Sequence, residues 1–365
     1  MNNKKALSKL LIALIIIIPI VIIVGIALTG VKKNDVPKIG FVITGTINDT
    51  GWNGAHYKGI SYACDKLGAK LLVEENIPED TAMCTAAIER LIDKGASMIV
   101  LSSYSYPDKA AEIIKKYPDV AFYGSASEFT FDNFTSYFGR MYQIRYLSGI
   151  LAGMKTETGN IGYVAAMPNI EVIRGINAFT LGVKQVNPDA TVNVIWTDSW
   201  DNEEQETVAA EKLINNKAVD LITYHQNQAF VARVADDAGI YSIGYNETVS
   251  GLSDKHLTAA IWNWKKMYYK IIREYMLGNA NSVKRHWLGI DTGAVELSDY
   301  SSLVTEDEKK AIDTKINELL SGKQIFSGEI YDNEGNLRCS PGESISDEIL
   351  LEEMNWFVDG VIIYE

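Results

Sequence analysis

The sequence predicts an α/β protein of two doubly wound lobes, preceded by an N-terminal transmembrane helix. Three observations predict it. Beyond Pro37, short β-branched runs alternate with amphipathic stretches, the pattern of βαβ units. That rhythm runs through twice in a chain of 365 residues, long enough for two filled cores. From Leu10 to Leu28, Leu, Ile, Val and Ala dominate and no charge interrupts them.

A membrane span needs about 20 apolar residues, whereas the apolar core of a secretory signal has about 7 to 15. Lys4, Lys5 and Lys9 precede the run, which places the N-terminus in the cytoplasm and the body outside. Residues 1–33 therefore read as a membrane anchor, with a cleaved signal ending near Ala27–Gly30 as the alternative. A lipid-tethered protein would carry a Cys just after the run, and the first Cys is Cys64. The net charge is −13, and residues 1–33 hold five Lys and no acid, so the body is more acidic still. Such a surface repels phosphate backbones and excludes nucleic acid as a partner.

In the first half, strands are expected at Lys38–Thr44, Lys70–Glu75, Ser97–Leu101 and Val120–Tyr123, with helices at Asn53–Leu67, Thr81–Lys94 and Pro107–Lys116. The second half offers strands Asn160–Ala166, Thr191–Thr197, Val219–Tyr224 and Ile240–Tyr245. Its helices are Glu171–Val186, Glu203–Asn216 and Gln228–Ala238. Gly68, Gly95 and Gly239 each stand where a helix hands over to a strand, as C-cap chemistry expects. A further strand, Leu257–Trp262, and helices Lys265–Leu277 and Thr305–Leu320 must join existing sheets, so the chain crosses between lobes more than once.

Phosphate-loop signatures GxGxxG and GxxxxGK[ST], an HExxH metal motif and a GxSxG nucleophile elbow are all missing. The four His are scattered, so neither cofactor nor metal is expected, and the sequence argues against an enzyme. Three Cys suit buried thiols better than a disulfide framework.

Two-lobed α/β folds bind ligands at the carboxyl ends of their strands. The residues just past each strand supply Trp52, Asn53, Ser103, Tyr104, Glu171, Trp200, Gln226, Asn227, Asn246 and Trp262. Trp faces stack on flat rings, and Asn and Gln present donor and acceptor together. Purines, pyrimidines and some sugars all fit that set.

The stretch Asn48-Asp-Thr-Gly-Trp-Asn-Gly-Ala-His-Tyr-Lys-Gly59 resembles the basic membrane protein family of solute-binding proteins, which includes purine nucleoside receptors of ABC transporters. The similarity continues at Tyr137–Gln143, Ile161–Ala166, Glu171–Phe179, Ala238–Asn246 and Met354–Val361. It implies a type I periplasmic-binding fold with three crossovers as hinge. It also implies a ligand closed between the lobes, an ABC permease as partner and a body on the extracytoplasmic side of the cell membrane. In nucleoside-binding members, an aromatic at the position of Trp52 stacks on the base and the next Asn lies near it. Those members place an Asp after the first strand and a Lys near the end of the crossing strand for the ribose. Thr44-Gly45 and Trp262 stand there in this chain, which points to a free purine base.

The expected organisation is 38–140 with 250–290 as lobe 1, 141–249 with 291–330 as lobe 2, and 331–365 as an extension packed on a lobe. The expected function is capture of a purine base or nucleoside for import. A membrane-tethered ligand sensor using the same cleft is the alternative, and a sugar-binding protein a lesser one.

Overall fold

The computed structural model describes residues 36–49, 51–125 and 131–364. The run Leu10–Leu28 expected to span the membrane lies outside the described residues. Among the described residues no helix is long and apolar enough to cross a membrane.

The first sheet takes β1 (Lys38–Val42), β2 (Lys70–Glu74), β3 (Met98–Leu101), β4 (Ala121–Ser125) and β5 (Phe134–Gly139). The second takes β6 (Asn160–Ala165), β7 (Thr191–Trp196), β8 (Leu221–His225), β9 (Tyr241–Asn246) and β10 (His256–Trp262). Later strands are shared out: β11 (Arg285–Leu288) joins the first sheet and β12 (Val295–Leu297) the second. β13 (Ile330–Tyr331) and β14 (Leu337–Cys339) pair with each other, and β15 (Val361–Tyr364) returns to the second sheet. The spatial orders are β11-β5-β4-β3-β1-β2 and β12-β10-β9-β8-β6-β7-β15. All pairings within the two large sheets are parallel except β10 with β12.

Parallel strands are covered on both faces, so alternate residues must all be apolar. Ile39, Phe41, Met98 and Val100 enter one core layer of the first lobe, while Val42, Ile99 and Leu101 enter the other. In the second lobe, helices Met141–Lys155 and Ile170–Val186 cross without side chains between them. A Cβ on Gly149 would lie 2.0 Å from Phe179 O, and one on Gly182 would lie 2.1 Å from Tyr146 O. Glycine at both positions lets the two backbones touch.

Helix Met141–Lys155, β5 and the short strands β11 to β15 went unassigned in the sequence. Helix Met141–Lys155 is buried from Met141 to Gly153 apart from Gln143, so it has no polar stripe to mark its period. Strand β5 is likewise buried at every residue. The expected helix Pro107–Lys116 is two short ones, Tyr106–Lys109 and Ala111–Lys116, broken at Ala110.

The chain passes between sheets three times: from β5 to helix Met141–Lys155, from β10 to helix Trp264–Met276, and from β11 to β12. One expected boundary is corrected. Residues 250–290 do not act as a block of lobe 1, because β10 pairs with β9 in the second sheet, while helix Trp264–Met276 packs on helix Trp52–Leu67. A fully buried apolar strand carries no mark of which sheet it will extend. The C-terminal stretch is fastened to helix Ile170–Val186. Arg174 donates to Leu350 O at 2.6 Å, and the Asn177 amide donates to Trp356 O (2.8 Å) and accepts from Val358 N (3.0 Å).

Candidate functional site

The segments after β1 and after β8 meet where Asn227 accepts from Trp52 N, and the candidate site is built around that contact. On the first-lobe wall, the turn before helix Trp52–Leu67 is organised by Asp49. Its Oδ1 accepts from the backbone of Gly51 (3.0 Å) and Gly54 (2.7 Å), doing the work of a helix cap. Its Oδ2 accepts from Asn53 Nδ2 at 2.7 Å, and the Thr44 hydroxyl donates to Asn53 Oδ1 at 3.1 Å. Asn53, expected beside a ligand, has both ends of its amide engaged in holding this turn.

That turn presents Trp52, whose indole N–H donates to Ser102 O at 3.1 Å. Its ring lies 4.2 Å from His56 and 5.2 Å from Trp264, and is edge-on to Trp262 at 6.4 Å. Trp262 and Trp264 stack at 5.1 Å with 18° between planes. His56 is fully buried beneath them, its Nδ1 2.5 Å from the Tyr268 hydroxyl, which in turn lies 3.0 Å from that of Tyr137. Burial alone holds the His56 pKa well below its ordinary value, so the ring is neutral. After β3, the Ser103 hydroxyl donates to Glu79, and Tyr104 stands 62% exposed at the rim.

The second-lobe wall is polar. At the end of β8, His225, Gln226 and Asn227 follow one another, the first two 1% exposed. Asn227 bridges the lobes: its Oδ1 accepts from Trp52 N at 3.0 Å, while its Nδ2 donates to Asp201 at 3.1 Å. A Cβ on Gly51 would fall 2.5 Å from Asn227 Oδ1, so glycine there permits the contact. Asn246 ends β9 with φ of 76°, a left-handed conformation that Asn tolerates better than most residues. Its Nδ2 lies 3.4 Å from Asn227 O. Trp200, 44% exposed, stands at the mouth with its ring 6.0 Å from His225.

Beneath this row lies a buried charged group. Arg145, wholly buried, donates to Tyr224 O (2.7 Å) and Thr223 Oγ1 (3.3 Å) and stacks over the Tyr245 ring at 4.3 Å. Glu171, in the first turn of helix Ile170–Val186, has its carboxyl pKa raised by burial against the pull of Arg174 and Arg145. The His225 pKa is held well below normal, first by burial and then by the two Arg. Its Nε2 is 3.6 Å from Glu171 Oε1, too long for a hydrogen bond, and with a neutral ring the two do not form an ion pair. Both His225 nitrogens, Glu171 Oε1, Gln226 Oε1, Asn246 Oδ1 and Trp264 Nε1 are buried without a hydrogen-bond partner. Buried polar atoms in folded proteins are nearly always paired, so a cluster of orphans marks a place prepared for something else.

Direct contacts thus link Trp52 to Trp262 and Asn227, and Asn227 to Asn246, while Trp200 and Glu171 both approach His225, which Gln226 follows in the chain; Ser103 and Tyr104 come just after Ser102, whose carbonyl accepts from Trp52 Nε1. Contributors not selected from the sequence are Asp49, His56, Arg145, His225, Tyr245 and Trp264. Asp49 was legible as an acid just ahead of a helix start. Arg145 sits on the helix that had no periodicity to betray it. Among the described residues no group of three or more His, Cys, Asp or Glu is placed to hold a metal.

Fold and cleft together define a periplasmic-binding-protein architecture, a two-lobed receptor for a small solute. The model of the PnrA-like substrate-binding proteins of ABC transporters matches residues 36–330, and the chain belongs to that family. It is 32% identical over 327 residues to a purine-binding protein of Brucella abortus, covering 89% of this chain and 92% of the relative. It is 29% identical over 337 residues to a putative ABC-transporter glucose-binding protein of Haloferax volcanii, covering 91% and 82%. Among solved structures, a transcriptional activator of the comK gene from Bacillus halodurans superposes with a TM-score of 0.71 at 22% identity, covering 79% of this chain and 99% of that one.

Proposed function

We propose that this protein captures a purine, as the free base, between its two lobes and delivers it to an ABC permease from the outer face of the cell membrane. The observation that carries this is the pairing of an aromatic wall, Trp52 backed by Trp264 and Trp262, with two second-lobe amides, Gln226 and Asn246, whose oxygens lack partners. A flat heterocycle satisfies both at once, with its face on the indole and its edge on the amides. The purine-binding relative supports the same ligand class. Thr44 is spent on Asn53, and Trp262 is packed among rings, so neither takes the place of a ribose-binding acid or Lys. Because ligand contacts both lobes only when they are together, binding shifts the population toward the closed form. Leu10–Leu28 is the proposed tether, keeping the receptor beside its permease.

The test is thermal shift on protein refolded to strip bound ligand, against bases, nucleosides and sugars. Ligand at a hundred times its dissociation constant stabilises by about 2.7 kcal/mol. The expected result is a shift with a purine base larger than with its nucleoside. The second reading is a sugar, favoured by the relative in Haloferax volcanii. A shift with a monosaccharide and with no purine would replace the first reading by the second. For the tether, deleting residues 1–33 is expected to move the protein from the membrane to the soluble fraction.

A further inference from the structure

The orphaned amides of the second lobe are not free to turn, and their fixed orientation carries information about the ligand. Gln226 Nε2 donates to Thr197 Oγ1 at 2.7 Å. The single proton of that hydroxyl already points to Ser199 O at 2.9 Å or Ala165 O at 3.3 Å, so Thr197 can only accept from Gln226. The amide is locked with its nitrogen inward, and Oε1 is left buried and unpaired. Asn246 is held the same way. Its Nδ2 faces the Asn227 carbonyl, and a flip would set two oxygens against each other, so Oδ1 remains unpaired and 97% buried by the same geometry. Asn227, between them, gives its Nδ2 to Asp201 and turns Oδ1 to the Trp52 N–H of the opposite lobe. Three amides, Gln226, Asn227 and Asn246, therefore commit their nitrogens within the second lobe and leave their oxygens to other partners. One oxygen is filled by the first lobe and two are not.

We propose that Gln226 and Asn246 are specificity-determining acceptors, and that the ligand is an aminopurine read through its exocyclic amino group. The proposal rests on the purine reading above and narrows it. An amino group on the ring edge brings two protons, which the unpaired oxygens of Gln226 and Asn246 accept, while the ring face remains on Trp52. A ring with a hydrogen or methyl in place of the amine leaves the same oxygens buried and empty, which is penalised heavily.

The experiment is titration calorimetry on the full-length protein with two matched pairs. Adenine is compared with 6-methylpurine, which replaces the amine by a methyl of similar size. Guanine is compared with hypoxanthine, which lacks the 2-amino group. The amino member of at least one pair is expected to bind roughly 5- to 140-fold more tightly, the equivalent of one unpaired buried acceptor. That ratio is expected to collapse toward one in Gln226→Met or Asn246→Gly, the latter suited to the positive φ. Thr197→Val, which frees the Gln226 amide to turn, is expected to lower it as well. Equal binding within both pairs overturns the acceptor assignment and leaves the purine reading standing, as does a ratio untouched by both the Gln226 and Asn246 variants. If neither pair binds while a sugar does, the purine reading itself has failed and takes this inference with it.

Discussion

On the first-lobe side of the cleft, Trp52, His56, Trp264 and Tyr268 lie ring against ring, and the Trp52 N–H ends on a backbone carbonyl. On the second-lobe side, Arg145, His225, Gln226 and Asn246 are buried and the Glu171 side chain is 24% exposed, yet Glu171, His225, Gln226 and Asn246 each carry a side-chain oxygen or ring nitrogen with no partner and Arg145 an unpaired Nε. The first wall is mainly ring faces and offers a surface, with unpaired polar atoms only at the ring nitrogens His56 Nε2, Trp262 Nε1 and Trp264 Nε1. The second is incomplete and offers bonds. Aromatic packing is non-directional and tolerates several flat ligands, whereas a locked amide costs free energy whenever its partner is missing. Affinity and selectivity are thus expected to reside on opposite lobes.

The largest effect expected from that contrast is on stability. Arg145→Met removes a fully buried cation that donates to Tyr224 O and Thr223 Oγ1 and acts on Glu171 only after Arg174. A loss of about 1.5–3 kcal/mol in chemical denaturation is expected, the worth of hydrogen bonds from a charged donor. A loss below 1 kcal/mol would show that the second wall tolerates unpaired groups and would remove the contrast.

Next comes the contact that joins the walls. Gly51→Val forces a side chain into Asn227 and is expected to cost about 1–3 kcal/mol of closure. The measurement is ligand affinity together with the radius of gyration by solution scattering. Affinity should fall and the ligand-bound radius should rise, with unfolding of the lobes unchanged. Trp52→Ala sharpens the comparison from the other side. A stacked base is worth about 1–3 kcal/mol, so calorimetry should show weaker binding of amino and non-amino purines alike, leaving their ratio intact.

The smallest effect separates the two histidines from the acid nearby. The His56 and His225 pKa values in the folded protein both lie below the ordinary 6.5, so as pH falls the unfolded chain takes up protons first. Their neutral burial costs nothing above about pH 6.5, and stability is lost as pH falls through 6.5 toward the folded values. The slope is at most about 1.4 kcal/mol per pH unit for each ring. Glu206 works in the opposite sense. Its carboxyl is pushed up to about 8, mainly by burial, so its contribution is present at low pH and lost as pH rises from about 4.5 to 8. Comparing melting temperatures of wild type and His225→Asn between pH 7.5 and 5 cancels the Glu206 part. The variant is expected to fall less steeply, and parallel curves would mean that His225 titrates in the fold as it does in the unfolded chain.

Much of the architecture was legible residue by residue. Alternating βαβ segments placed β1 to β4 and β6 to β10, because a short β-branched run next to an amphipathic stretch leaves few other ways to bury both. Helix Met141–Lys155 and β5 escaped because they are buried all round, and periodicity reports only surfaces that face two environments. Within the cleft, Trp52, Gln226, Asn227 and Asn246 were found by their position after a strand. Asn53 was chosen by the same rule, yet its amide serves the Asp49 turn. Arg145 and Tyr245 could not be chosen by that rule, since they reach the site from within a helix and a strand.

By itself, then, the sequence determined composition, the βαβ rhythm and which residue types stand at strand ends, all of which are local or periodic quantities. Only the tertiary structure decided that β10 extends the second sheet, that Asn227 meets Trp52 across 175 residues of chain, and which face of each amide is left empty. Those outcomes depend on partners brought together by folding: a hydrogen bond's direction is set by the group at its far end, and that group is distant in sequence.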